Sequence, residues 1–93
     1  MTIDISAQTT FMYGGARVNI YHANAGEGSA YHKHPYNHAT MCVHGSCKVK
    51  QGTTEVIINK DSKPVNLLAG IEHDIEAIED GTIYVNVFAE NKY

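Results

Sequence analysis

The chain has no tryptophan and only two each of proline, cysteine and phenylalanine. Two cysteines cannot build a disulfide framework, so Cys42 and Cys47 read as small, buried or half-buried residues. They flank a turn around Gly45 and are expected to face each other across a hairpin. Basic residues are also scarce: 7 against 10 acidic ones give a formal charge of −3. That balance offers no basic patch for nucleic acid. Apolar runs are short, and none approaches the roughly 20 residues that a bilayer-spanning helix needs. The stretch Met1-Thr2-Ile3-Asp4-Ile5-Ser6 lacks the positive start and apolar stretch of a secretory signal, so a cytoplasmic location with reduced thiols is expected.

Helix signals are few, whereas glycine occurs 8 times and tyrosine outnumbers phenylalanine 6 to 2. This composition suits short strands joined by tight turns. Period-two alternation runs through Arg17–His22 and Thr82–Phe88, with Tyr84, Asn86 and Phe88 sharing one face of the latter. Further short strands are expected at Thr40–Val43, Cys47–Lys50 and Glu55–Ile58. Turn signals stand at Gly45-Ser46, Gln51-Gly52-Thr53, Asn59-Lys60-Asp61-Ser62 and Asp80-Gly81. Short strands at regular spacing predict a single all-β domain over residues 1–93, an antiparallel sandwich or barrel. Residues 1–10 are expected to form an arm or an added edge strand.

Histidine is the unusual count, at 6, with 4 of them between His32 and His44. His32 and His34 are two apart, and a strand alternates its side chains, so the two are expected on one strand with both rings on one face. Pro35-Tyr36-Asn37 then predicts a bend, and His38 opens the next apolar segment. His73 follows after Gly70 and begins another alternating run. One histidine in a strand is ordinarily a half-exposed polar residue. Three imidazoles brought together without partners would be costly, and a metal ion satisfies all of them at once. The expectation is one divalent transition metal, with iron, nickel, zinc, manganese and copper not distinguished.

These residues resemble the cupin family. Its first motif, Gly-x5-His-x-His-x3-Glu-x6-Gly, is matched in spacing by Gly26-x5-His32-x-His34-x3-His38-x6-Gly45, with histidine in place of glutamate. Of the second motif, Gly-x5-Pro-x-Gly-x2-His-x3-Asn, only Gly70 and His73 survive. The resemblance spans roughly residues 14–89. It implies a cupin-type antiparallel β-barrel (jelly roll), a homodimer, and a four-histidine metal site made of His32, His34, His38 and His73. Four neutral imidazoles leave a divalent ion its full charge of +2, which favours small anionic ligands.

Around this set, Tyr36 is the candidate acid, base or anchor, whereas Tyr31 points away by parity. Thr40 and Cys42 share parity with His38, and Tyr84 and Asn86 can face the interior, so these four are candidate pocket residues. Plain core packing is the competing reading for each. His22 and His44 carry no ligand spacing. Three functions remain open: an enzyme of oxygenase, isomerase or lyase type acting on a small organic anion, a non-catalytic metal-dependent binding or sensing module, and a structural ion that staples a small core. Imidazoles ligate only when neutral, so metal affinity is expected to fall as pH drops through about 6.5.

Overall fold

A computed structural model of the chain describes residues 2–89. The outer ends of the domain expected over 1–93, and the first residue of the arm expected over 1–10, lie outside the described residues. In chain order the strands are β1 (Ile3–Asp4), β2 (Thr9–Tyr13), β3 (Ala16–Ala23), β4 (Glu27–His32) and β5 (His38–His44). They continue with β6 (Ser46–Gln51), β7 (Thr54–Asn59), β8 (Val65–Leu67), β9 (His73–Ala77) and β10 (Thr82–Phe88). One five-stranded sheet runs β1-β4-β9-β6-β7 and the other runs β2-β3-β10-β5-β8. Every pairing is antiparallel except β1 with β4. The barrel expected from the resemblance thus takes the form of two facing sheets of a jelly roll, with no ladder joining them among the described residues. No helix among those residues is long and apolar enough to cross a membrane.

The alternation in β10 is realised at every position. Thr82, Tyr84, Asn86 and Phe88 are buried, and Ile83, Val85 and Val87 are half-buried on the outer face. The core between the sheets includes Cys42, Cys47, Val49, Ile58, Leu67, Ile75 and Tyr84. The Tyr84 ring stacks on Tyr21 at 4.7 Å between centroids, and its hydroxyl meets the Ser29 hydroxyl at 2.8 Å. A buried phenol needs such a partner, because an unpaired hydroxyl costs roughly 1–3 kcal/mol in a core.

The expected hairpin between Cys42 and Cys47 does not form. Gly45, at φ 75°, carries the chain from one sheet to the other, so β5 and β6 are not hydrogen-bonded neighbours. Both thiols are free and buried between the sheets. Burial and the neighbouring Cys42 thiol push the Cys47 thiol well above its ordinary range. A side chain at Gly45 would strike Thr82 and would also meet the backbone strain of positive φ. Gly28 in β4 has a different reason. A Cβ there would run into the backbone carbonyl of Ile75 on β9. The β4–β9 ladder is what sets His32 opposite His73, so this close approach belongs to the framework of the histidine cluster.

Candidate metal centre

Three separate stretches of chain bring the histidines together. His32 ends β4, His73 starts β9, and the two are register partners. His34 lies beyond the end of β4, in the segment that leads to β5. The expectation that His32 and His34 share one strand is therefore corrected. His34 is held instead by the turn before β9: its backbone carbonyl accepts the Gly70 N–H at 2.8 Å, and Asn37 Oδ1 accepts the Ala69 N–H at 2.6 Å. Its ring stacks on Tyr36, 4.3 Å between centroids and 5° from parallel. His38 opens β5 and pairs with Phe88 in β10 and Leu67 in β8.

The nitrogen atoms of His32, His34 and His73 that can ligate lie within 4.8 Å of one another. His38 stands outside that trio, with its ring centroid 5.0 Å from His34 and 5.2 Å from His73. Its closest aromatic neighbour is Phe88, at 4.5 Å.

Hydrogen bonds at the far side of each ring decide which nitrogen is bare. His32 Nδ1 meets the Ala30 carbonyl, His34 Nδ1 the Tyr36 carbonyl at 2.8 Å, and His73 Nδ1 the Ile71 carbonyl at 3.3 Å. A carbonyl only accepts, so each Nδ1 carries the proton and each neutral ring keeps a lone pair on Nε2. The His34 Nε2 is buried with no partner. The Nε2 atoms of His32 and His73 face each other at 3.2 Å, although neither has a proton to give.

Two nitrogens on one ion at bond lengths of about 2.1 Å sit roughly 3.0–3.4 Å apart, whether the geometry is octahedral or tetrahedral. The observed spacing fits a shared ion, and so does the orphaned His34 nitrogen. Electrostatics favour the neutral, ligating form as well. Burial lowers the pKa of His38 to about 3 and that of His73 to about 4 from the ordinary 6.5, with neighbouring imidazoles adding to the effect. His34 is lowered for the same leading reason.

Beside the trio opens a cleft of about 600 Å³, lined by residues that include Asp4, Lys33, Tyr36, His38, Asn86 and Phe88. Of the candidate pocket residues, Asn86 lines this cleft. Thr40 is fully buried behind it, and Cys42 and Tyr84 belong to the core between the sheets. Tyr36 reaches the cleft with its ring laid against His34. Tyr31 donates to the Gly52 carbonyl at 3.3 Å, His44 Nδ1 bonds the Gly81 carbonyl at 2.9 Å, and His22 is exposed. Sequence patterning did not single out Asp4, Ser29 or Lys33, all of which line the cleft. Only Lys33 had a local signal, as the residue between two ligand histidines.

No protein-family model matches the chain, and no curated protein matches it in sequence. Solved structures do match. A cupin protein from Bacteroides fragilis superposes with a TM-score of 0.75 at 18% identity, over 98% of this chain and 82% of that one. A double-stranded β-helix protein from Klebsiella pneumoniae gives 0.73 at 20% identity, over 90% and 76%. The Mn(II) oxalate decarboxylase of Bacillus subtilis gives 0.72 at 16% identity, over 85% of this chain and 22% of that one. The chain therefore has the cupin, or double-stranded β-helix, fold, with a three-histidine group suited to a metal ion.

Proposed function

We propose that the protein holds one divalent transition-metal ion on His32, His34, His38 and His73 and uses it to bind and transform a small organic anion. The observation that carries this reading is the convergence of bare Nε2 lone pairs, two of them 3.2 Å apart and one buried without a partner. In this reading His38 joins the trio as the fourth ligand, replacing the glutamate of the motif it resembles.

The ion would supply Lewis-acid polarisation of a bound oxygen donor. The chain supplies the rest. Carbonyls of Ala30, Tyr36 and Ile71 hold the rings in the ligating tautomer. Tyr36 and Phe88, in ring contact with each other, give the cleft part of its apolar wall. Lys33 at the rim is the cation among the lining residues, which suits an anion entering the cleft. Oxygenase, isomerase or lyase chemistry all fit a small polarised anion.

A second reading, a non-catalytic metal-dependent binding or sensing module, draws on one observation. Asp4 is the one carboxylate among the cleft-lining residues, and its Oδ1 accepts the Ala30 N–H at 2.9 Å. One oxygen of that carboxylate is thus engaged with the backbone instead of facing a ligand.

We further propose a homodimer. The register rows Phe11–Val18–Val87–Ala39 and Thr9–Ile20–Val85–Met41, on the outer face of their sheet, hold no charged side chain. A cytoplasmic setting suits the buried free thiols Cys42 and Cys47. The metal-dependent reading is tested by elemental analysis of protein purified without added metal, together with mass spectrometry of any small molecule released from the cleft. Sub-stoichiometric metal in every preparation would overturn it.

A further inference from the structure

The fourth histidine differs from the other three in what holds its Nδ1. A side chain, the Thr40 hydroxyl, lies 3.4 Å from it, in addition to a backbone hydrogen bond of the ring to Ala39. Thr40 is fully buried, and its hydroxyl also lies 2.6 Å from Asn86 Oδ1. A hydroxyl has one proton and an amide oxygen only accepts, so Thr40 donates to Asn86 and receives the His38 Nδ1–H. The three side chains then form one directed chain: His38 Nδ1–H to Thr40, Thr40 O–H to Asn86 Oδ1. Reversing any member reverses all of them. If the Asn86 amide turned over, its N–H would point at Thr40, the hydroxyl would point at His38 Nδ1, and the His38 proton would move to Nε2.

The orientation in which His38 presents a bare Nε2 is therefore the one in which Asn86 turns its NH₂ group away from Thr40. Asn86 is only 4% exposed and lines the cleft, and its Oδ1 is taken up by the Thr40 hydroxyl. With Oδ1 held by Thr40, the NH₂ end of the amide is the end left for a ligand in the cleft. A donor in a cleft wall gives up water when a ligand enters, so a ligand that supplies an acceptor is favoured.

We infer that Asn86 is the specificity-determining residue for a small carboxylate bound at this centre, donating its amide N–H to a carboxylate oxygen, and that Thr40 is the positioning residue that fixes this donor face and the His38 tautomer together. The inference rests on the metal-dependent reading and deepens it. Its ligand class is a small oxyanion with at least one acceptor oxygen beyond those on the metal, such as a dicarboxylate or a 2-oxo acid. A cation or a purely apolar ligand would leave the amide donors unmet.

The test uses the full chain loaded with Co²⁺, whose visible absorption reports both metal content and added ligands, and oxalate as the probe. The parent, Asn86→Leu, Asn86→Asp, Thr40→Ser and Thr40→Val are titrated side by side. Each variant should hold one Co²⁺, while oxalate affinity falls at least about ten-fold in Asn86→Leu and in Asn86→Asp, the size of a lost hydrogen bond to a charged group. Thr40→Ser should match the parent, and Thr40→Val should weaken oxalate several-fold. Imidazole ¹⁵N spectra of the metal-free chain should show His38 as the Nδ1–H tautomer in the parent and Thr40→Ser, and a mixture in Thr40→Val. Should Asn86→Leu fail to fold, Asn86→Asp decides the same point. Oxalate binding within two-fold of the parent in a cobalt-loaded Asn86 variant overturns the inference. A parent that takes up no Co²⁺ overturns the metal-dependent reading, and this inference falls with it.

Discussion

His32 and His73 point their Nε2 atoms at each other across 3.2 Å, while both hold their single proton at the opposite nitrogen. Two lone pairs at that distance repel, and the ladder between β4 and β9 gives the rings a shared register they cannot leave. An electropositive group between or beside them, or a change of tautomer at one ring, makes the arrangement favourable. Protonation would be one answer, but burial makes it expensive at His73, whose pKa falls to about 4. A metal ion answers the same need without adding a proton, and it also reaches the orphaned His34 nitrogen.

The acid response of the metal-free protein follows from these pKa values. His38 and His73 titrate near 3 and 4 in the folded chain and near 6.5 when unfolded. Between those limits the unfolded state binds more protons, so stability falls as pH falls. The loss should begin near pH 6.5 and continue to about pH 3. Urea unfolding at pH 7.5, 6.5 and 5.5 will show it, and a His38→Asn/His73→Asn variant should have a flatter profile. An equal slope in that variant would contradict the assignment.

Metal retention should accordingly outlast the pH expected from an ordinary histidine. His38 and His73 have no proton to lose at pH 5.5, so they cost the metal nothing in competition. Chelator titration at pH 7.0 and 5.5 should find a smaller drop in affinity than ligands with a pKa of about 6.5 would give. A drop matching such ligands would refute this part of the account.

Replacing His38 by glutamate probes the charge of the site. Metal should stay bound, and affinity for small carboxylates should drop, because the net charge of the centre falls from about +2 to about +1. A unit charge at 4 Å in an effective dielectric near 20 is worth about 4 kcal/mol. Even a quarter of that gives roughly a five-fold change, which titration calorimetry resolves.

Two framework substitutions should lower stability. Gly28→Ala sets a methyl group against the Ile75 carbonyl and should cost at least about 3 kcal/mol, if the chain folds at all. Tyr84→Phe keeps the stack on Tyr21 but removes the 2.8 Å bond to Ser29. Its expected cost is about 1–2 kcal/mol by thermal or chemical denaturation.

Strand β10 was legible because period two is a local property, and Thr82–Phe88 alternates without interruption. The turn at Gly45 was not. A glycine at positive φ serves a hairpin and a sheet-to-sheet crossover equally well, and only the pairing of β6 with β9 and β7 distinguishes them. β8 escaped notice because Val65-Asn66-Leu67 is too short to show a period. Spacing pointed to His32, His34 and His73, which the structure gathers, yet His34 reaches the cluster from a loop tied to Gly70, a contact 36 positions away. The Thr40–Asn86 bond spans 46 positions and depends on the β5–β10 register. Nothing local in the sequence announces it.

The central claim is that the histidines form a metal site, and metal stoichiometry tests it most directly. The parent and a His32→Ala/His34→Ala variant, expressed with the same transition-metal supply and checked for folding by circular dichroism, should be compared by plasma mass spectrometry after removal of loosely bound ions. The account predicts about one divalent ion per chain in the parent and none in the variant. Stoichiometric metal in the folded variant, or a parent that holds none, would contradict it.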